Sequence, residues 1–443
     1  MPQTHIRHHY REILTIALPM IASALSIPLL GVVDTAILGH LESPLYLGAV
    51  NVGVTTFNLF LWSLGFLRMS TTGLVAQDWG RQDQQAVARH VALALLLATG
   101  LAAALILLSP LWIESLVHWF AREQAEIRAL AGTYLRWRVW SLPASLWLFV
   151  IMAYFLAIGQ ATVVLRLMLV SQVGNMALDY FFVVHWHWKI TGVAAGSVIS
   201  EYLAVMLGFW HMRHNGILRA LPSGFWPSWR SHGHALGQLL AFNRDIFIRT
   251  LCLMFVFAFF TRQSAKQGEI ILAANAVLMN FFYLASYGLD GFAHAVESLA
   301  GRYYGQDNKQ ALRQVVRDVF TISWLVALGL SVIYWAGGDW MIAWLTDLPA
   351  VRLASIDYLY WVVFLPVVAV ASFVYDGLCV ATLQTRIMRN SMVMATVLCF
   401  LPLWMALRPL GNHGLWLAFW GFFIVRGLAI HWGFKRSGIL NAA

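Results

Sequence analysis

The stretch from Ile13 to Val33 carries no charged residue and is long enough to decide the class of fold. About 20 apolar residues cross the hydrocarbon of a bilayer as a helix. Asp34 follows at once, and the residues after it are again mostly apolar, so the sequence places this carboxylate inside the membrane helix. An acid there costs about 2.5–3.5 kcal/mol even on the gentlest scale, and it usually faces a polar interior and has a function.

Similar apolar segments recur along the whole chain. Of the 443 residues, 60% are hydrophobic and 11% are charged, whereas soluble domains carry about 25% charged residues. The sequence therefore predicts an all-α polytopic membrane protein with about twelve transmembrane helices. We place the spans near residues 12–39, 45–74, 86–110, 126–157, 163–184, 191–211, 236–263, 270–300, 310–336, 351–381, 387–407 and 413–434.

The net charge of +9 is spread over short loops, a pattern that sets topology and does not form a patch for nucleic acid. Lys and Arg are more frequent in alternate loops, which predicts that both termini are cytoplasmic and that the number of spans is even. The three cysteines, which lie far apart in apolar surroundings, are expected to be buried thiols. No small-residue cleavage motif follows the first apolar run, so we expect an uncleaved first helix.

An internal repeat divides the chain. SLGFLRMSTTGLVAQDWGRQDQQAVAR (63–89) aligns with YGLDGFAHAVESLAGRYYGQDNKQALR (287–313), and YLRWRVWSLP (134–143) aligns with YLYWVVFLP (358–366) at nearly the same offset. We therefore predict an N-lobe at 1–212, a cytoplasmic linker at 213–234 and a C-lobe at 235–443. Transporters with internal repeats bind substrate near the membrane midplane, between the repeats.

Several motifs are absent from the sequence. It contains no GxxxxGK[ST] phosphate loop, no HExxH, no GxSxG and no CxxC pair. These absences argue against ATP as the energy source, against an enzyme, and against a bound metal or cofactor.

The chain resembles the multidrug and toxic compound extrusion (MATE) family, and within it the DinF-like branch. The resemblance rests on Pro19 and Asp34 in the first helix, on Asp376–Gly377, and on LAFNRDIFIRTL (240–251), LAANAVLMNFFYLASYGLDGFAHAVESLAG (272–301) and RIMRNSM (386–392). It implies two pseudo-symmetric six-helix lobes arranged as a V that rocks between outward-open and inward-open states. It also implies export of cationic or amphiphilic compounds in exchange for protons, or less favourably sodium.

The resemblance assigns a coupling site in the N-lobe. Asp34 would be the protonation switch, with the first helix bending at Pro19. Asn175 and Asp179, one helical turn apart, would lie beside it, and loss of water around two close acids would favour a shared proton. The alternatives are a structural role for Asp34 and a helix-end position for Asp179.

Two further residues, Tyr134 and Ser200, are candidates for completing this cluster. The recurrence of YLxW also fits simple repeat packing of Tyr134. Glu201, next to Ser200 in an apolar run, is an alternative polar partner.

The C-lobe contains the acids Asp290, Glu297 and Asp376, which are candidates for a second protonation site or a cation site. Their alternative role is structural pairing with Arg249 or another intramembrane base. His294, about one turn from two of these acids, is expected to be a hydrogen-bonding core residue and no metal ligand.

The expected partners are cationic or amphiphilic small molecules and membrane lipids, with the protein acting as a monomer. The alternative function is a flippase or exporter of lipid-linked or bile-salt-like anions. An arginine-rich cavity would favour that alternative, and Arg68, Arg136, Arg138 and Arg249 keep it open.

Overall fold

The protein is described by a computed structural model that covers residues 2–39, 43–122, 124–220 and 233–439. Within these ranges the regular structure is helical, and there is no strand. The all-α prediction is therefore confirmed. Most of the predicted linker, from 221 to 232, lies outside the described residues.

The first half of the chain contains nine α-helices, with short 3₁₀ turns at Val139–Ser141 and Ile217–Arg219. They are α1 (Pro2–Gly39), α2 (Pro44–Leu64), α3 (Phe66–Gly80), α4 (Gln84–Leu107), α5 (Ser109–Phe120), α6 (Ala125–Arg138), α7 (Leu142–Ala157), α8 (Ala161–Asp179) and α9 (Lys189–His214).

The described part of the second half contains seven α-helices and a 3₁₀ turn at Arg408–Leu410. They are α10 (Gly233–Lys266), α11 (Glu269–Gly305), α12 (Lys309–Leu345), α13 (Pro349–Ala381), α14 (Thr385–Met394), α15 (Leu401–Leu407) and α16 (Asn412–Ser437).

Eleven helical stretches in the described ranges are long and apolar enough to cross a membrane. Some combine consecutive helices, such as Leu45–Gly80 and Thr385–Leu410. The predicted seventh span, 236–263, lies in α10, which is not among the eleven. Each of the twelve predicted spans therefore falls on helical structure.

The internal repeat is visible in the turns that join helices. Gln82 and Asp307, 225 residues apart, both have positive φ, at 59° and 53°. The next residues, Asp83 and Asn308, cap α4 and α12. A side-chain oxygen of each accepts a hydrogen bond from the backbone N–H three residues later, at 2.9 Å for Asp83 and 3.0 Å for Asn308. A side-chain oxygen at this position satisfies a helix N–H that has no partner in the helix. The two halves thus use the same turn chemistry.

A second correspondence lies in the helices α8 and α14. Each continues directly into a π-helical segment, Tyr180–His185 after α8 and Ala395–Phe400 after α14. Such segments interrupt the normal hydrogen-bond ladder and are frequent at functional sites. The two segments begin 215 residues apart, whereas the turns described above are 225 residues apart, so they occupy similar but not equivalent places in the two halves.

The chain forms two compact units. We call Ala22–Leu240 the N-terminal unit, and Met1–Ile21 together with Ala241–Ala443 the C-terminal unit. The division falls inside α1, between Ile21 and Ala22, although the helix itself is continuous. The predicted lobe boundaries, 1–212 and 235–443, assigned all of α1 to the first lobe and remain a prediction.

Candidate functional site

Two carboxyl groups meet in the N-terminal unit. Asp34 of α1 and Asp179 of α8 lie within hydrogen-bonding range of each other. Asp179 is fully buried and Asp34 is partly exposed. The sequence proposed both residues for one site, and the structure brings them together.

Each acid has one buried oxygen without a hydrogen-bond donor among the described residues, Oδ1 of Asp34 and Oδ2 of Asp179. Two ionised carboxylates only accept hydrogen bonds, so neither can satisfy the other. A single proton between them would convert one acid into a donor, and it would also relieve the repulsion between two close negative charges. The arrangement is therefore suited to holding one proton.

Asn175 fixes the orientation of Asp179. Its Nδ2 donates to Asp179 Oδ1 at 3.1 Å and to Ser197 Oγ of α9 at 3.2 Å. Gly196 leaves room for the acid, because a Cβ on this glycine would collide with Asp179 Oδ1 and lie 3.2 Å from its Cγ. The carboxylate is thus held between α8 and the small residues of α9.

A buried ion pair stands beside the two acids. Arg138 donates to Glu201 and to Ser141, and Ser145 donates to the other oxygen of Glu201. The Arg138 guanidinium also lies over the ring of Phe57, with its Cζ 4.3 Å from the centroid. Arg138 is close enough to interact electrostatically with both Asp34 and Asp179. The sequence analysis names Glu201 only as an alternative polar partner to Ser200 and does not pair it with Arg138.

The two remaining N-lobe candidates differ in their contacts. Tyr134 is buried on α6 and lies close to Arg138 and to the two acids. Ser200 is also buried, but its hydroxyl donates to the backbone carbonyl of Ser197 at 3.0 Å. The hydroxyl that accepts the hydrogen bond from the Asn175 amide belongs to Ser197, one turn before Glu201. The sequence analysis named Ser200 and missed Ser197, because only the rotation of α9 about its axis distinguishes the two serines.

Among the described residues, this N-terminal cluster contains three carboxylates, those of Asp34, Asp179 and Glu201, and one guanidinium, that of Arg138. Even with one proton shared, negative charge is in excess. Such an environment attracts protons and cations and repels anions.

In the C-terminal unit, Asp376 of α13 is buried between two arginines. Arg249 of α10 and Arg426 of α16 both donate to Asp376 Oδ2. Asp290 of α11 supplies further negative charge near Arg426. The structural pairing with Arg249 that the sequence offered as an alternative is therefore present, and Arg426 is an addition that the sequence analysis missed.

Glu297, the third C-lobe acid, is buried on α11. Its Oε2 lies 3.2 Å from His294 Nδ1, one turn earlier. His294 thus has a local hydrogen-bond partner, as expected for a core histidine. No group of three His, Cys, Asp or Glu that could hold a metal ion occurs in the part of the chain described.

A separate polar cluster surrounds Asp245 near the start of α14. Asp245 accepts from Arg389 at 2.8 Å, from Thr385 at 3.2 Å and from Arg244 at 3.3 Å. A cavity of about 270 Å³ adjoins it and is also lined by Arg386. The contacts tie α10 to α14, which favours anchoring over a transport role.

Membrane-long helices in two repeated halves, with buried acids and ion pairs among them, define a polytopic membrane transporter. The MatE family profile matches residues 19–181 and 246–405, which is more than half of the chain. The chain therefore belongs to the MATE family of transporters and is no enzyme. Within the family it is DinF-like, because it is 39% identical over 435 residues to DNA damage-inducible protein F of Escherichia coli (strain K12), covering 97% of this chain and 93% of that protein.

Two further proteins extend the comparison. A probable multidrug resistance protein NorM of Rhizobium meliloti (strain 1021) is 26% identical over 71% of this chain and 67% of its own length. A crystal structure described as MATE in the bent conformation superposes with a TM-score of 0.87 at 17% identity, over 97% of this chain and 96% of that one. The predicted family and its helical fold are confirmed.

Proposed function

We propose that the protein exports cationic or amphiphilic compounds from the cytoplasm in exchange for protons. The pair Asp34–Asp179 is the proton site. A proton that enters from outside binds the pair and promotes release of the substrate, and its loss toward the cytoplasm restores the substrate-binding state. The protein acts as a monomer in a bacterial inner membrane, with both termini cytoplasmic.

The observation that carries this proposal is the contact between the two carboxyl groups, each of which has one buried oxygen that lacks a donor among the described residues. Neither acid is neutralised by a dedicated base, since the neighbouring Arg138 is already hydrogen-bonded to Glu201. The surplus of carboxylates favours cations over anions as the transported species. The similarity to a probable multidrug resistance protein points to substrates of the same broad kind.

Protons are favoured over sodium because the C-lobe acids are already engaged. Sodium would need several oxygen ligands without a competing cation nearby. Asp376 Oδ2 accepts from two guanidinium groups, and their positive charge disfavours a metal cation at the other oxygen, Oδ1, which has no donor among the described residues. Asp376 therefore acts as a structural anion between Arg249 and Arg426.

Pro19 is proposed as the point at which α1 bends. A proline inside a helix has no N–H to donate to the carbonyl four residues earlier, which weakens the helix locally. In this chain α1 runs without a break through Pro19. A bent conformation has been crystallised for a MATE protein of the same fold, so we extend the bending to this chain.

The alternative is export of lipid-linked or bile-salt-like anions. In the sequence, this alternative is supported by a set of intramembrane arginines. Arg138 is paired with Glu201, while Arg249 and Arg426 share Asp376 and have Asp290 nearby. None of these clusters offers a surplus of positive charge, so this alternative is the weaker proposal.

The test is efflux of ethidium from liposomes that contain the purified protein. A pH gradient or a sodium gradient is imposed separately, on wild type, Asp34→Asn, Asp179→Asn and the control Asp339→Asn. Asp339 is an exposed acid on α12, in the C-terminal unit, so its substitution removes the same charge without touching the N-terminal cluster.

The proposal predicts that the pH gradient alone drives efflux and that only the two pair variants lose it. Efflux driven by sodium alone would contradict the proton assignment. Transport of a bile-salt anion with no transport of ethidium would favour the alternative.

A further inference from the structure

The beginning of α1 belongs to the C-terminal unit and carries a stripe of buried residues. Ile13, Ile16, Ala17 and Met20 are at most 9% exposed, and their spacing places them on one face of the helix. From residue 24 to residue 37, by contrast, no residue of α1 is buried. The division between the two compact units follows one residue after this stripe, at Ile21/Ala22.

The helix α1 approaches α11 closely at Gly291. A Cβ at this glycine would lie 2.8 Å from the carbonyl oxygen of Ala17 and would also collide with the Ile21 side chain. The obstacle at Ala17 is backbone, which cannot rotate away as a side chain can. Only glycine therefore permits the observed approach of α1 to α11.

A second glycine repeats the arrangement one helix further on. A Cβ at Gly377 of α13 would collide with the carbonyl oxygen of Ala293 and would lie 3.1 Å from its Cα. Ala293 is only two residues beyond Gly291 on α11. The helices α1, α11 and α13 are thus in close backbone contact at one level. Both glycines directly follow an aspartate, in the pairs Asp290–Gly291 and Asp376–Gly377.

Polar contacts hold the beginning of α1 to the same unit. His9 Nδ1 lies 3.3 Å from Asp318 Oδ2 of α12. The other Asp318 oxygen accepts from Gln314 at 2.9 Å. Glu12, one turn after the histidine, interacts electrostatically with Arg302 of α11. Apolar, backbone and polar contacts therefore all fix residues 9–21.

We propose that Gly291 is a positioning residue that clamps residues 9–21 to the C-terminal unit, with Gly377 packing α13 against the same level of α11, so that α1 transmits the state of Asp34 to that unit. The inference rests on the proposed proton coupling. Residues 22–39 carry the acid and belong to the N-terminal unit, and Pro19 is the weak point of the helix beside the clamp. When protonation changes the direction of residues 22–39, residues 9–21 cannot move separately from the C-terminal unit. The movement is therefore passed on to that unit.

The test compares Gly291→Ala with Gly288→Ala, one turn earlier on α11. At Gly288 the nearest heavy atom to a new Cβ is Leu330 Cδ1 at 3.8 Å, an ordinary contact. Both substitutions raise helix propensity equally, so they differ only in the collision with α1. Each variant is measured for thermal unfolding, ethidium binding in detergent and efflux driven by a pH gradient.

The clamp predicts that Gly291→Ala binds ethidium with nearly unchanged Kd but transports it about tenfold more slowly or worse. Gly288→Ala should match wild type. A Gly291→Ala protein that transports like wild type, while wild type and Gly288→Ala both transport, would overturn the clamp and leave proton coupling intact. Absence of proton-driven efflux in wild type would instead count against the proposed function.

A second measurement does not depend on the folding of Gly291→Ala. Hydrogen exchange is compared between wild type and Asp34→Asn at the same pH. The clamp predicts altered exchange both in residues 22–39 and in residues 285–295 of α11. A change confined to residues 22–39 would overturn it.

Discussion

Asp34 and Asp179 face each other with one buried oxygen apiece that receives no hydrogen bond from the described residues. Because ionised carboxylates cannot donate, this contact is stable only when a proton or another cation is present. The relationship gives a reason for an acid in a membrane helix whose preceding stretch, Ile13–Val33, carries no charge. It also makes the surroundings of Asp179 sensitive to small changes in volume.

Gly196→Ala is expected to disrupt the pair without changing any charge. Its Cβ would collide with Asp179 Oδ1, so the acid must move or α9 must retreat. Overpacking of this kind costs about 1–3 kcal/mol. We expect a lower melting temperature and loss of proton-driven efflux.

The matched control for this substitution is Gly174→Ala, next to Asn175, where the nearest contact of a new Cβ is Ser200 Cβ at 3.6 Å. That variant should melt and transport like wild type. Equal behaviour of the two variants would show that the space beside Asp179 is not critical.

Glu201→Leu is predicted to destabilise the N-terminal unit strongly, because it leaves the Arg138 guanidinium buried without its carboxylate. Removing one partner of a buried ion pair typically costs about 3–5 kcal/mol. Ser145→Ala removes only one neutral donor to the same carboxylate and should cost about 1–2 kcal/mol. Thermal unfolding in detergent measures which of the two variants loses more stability. A loss no greater for Glu201→Leu than for Ser145→Ala would mean that Arg138 finds another partner.

Asp376→Asn tests whether the C-lobe acid binds a transported cation. The substitution leaves Arg249 and Arg426 facing each other without a shared anion, so stability should fall. Added sodium should stabilise neither wild type nor the variant, since the two guanidiniums on Oδ2 repel a cation from this carboxylate. A sodium-dependent rise in the melting temperature that is present in wild type and absent in Asp376→Asn would identify Asp376 as a sodium ligand.

Asn275→Leu separates stability from coupling. Asn275 donates to Ser264 and Asn412 at 2.7 Å each, and its oxygen accepts from Asn412 and Trp416 at 3.0 and 2.9 Å. The substitution leaves several buried polar groups unsatisfied, and we expect a loss of about 2–4 kcal/mol. Ethidium efflux per folded molecule should keep its dependence on the pH gradient. Loss of that dependence in folded protein would mean that this network also takes part in coupling.

Most of the fold could be predicted from the sequence because span length, loop charge and the internal repeat are local signals. The aligned segments of the repeat include both turns in which Gln82 and Asp307 adopt positive φ. The facing of Asp34 and Asp179 came from the family resemblance together with the helical spacing of Asn175 and Asp179.

The remaining contacts depend on the rotation of each helix about its axis, which hydropathy does not determine. For this reason Ser197 could not be distinguished from Ser200, and the two arginines on Asp376 could not both be found. Arg426 had one usable signal, a lone base in the apolar run GFFIVRGLAI. The clamp at Gly291 left no signal except a glycine in the middle of a long helix.

The most direct test of the shared proton is to count protons released when ethidium binds to the purified protein in weakly buffered detergent solution. The account predicts release of about one proton per bound ethidium in wild type and in Asp339→Asn. It predicts no release in Asp34→Asn, because the pair then cannot exchange a proton between its two acids. Equal proton release from wild type and Asp34→Asn would contradict the assignment of the proton to this pair.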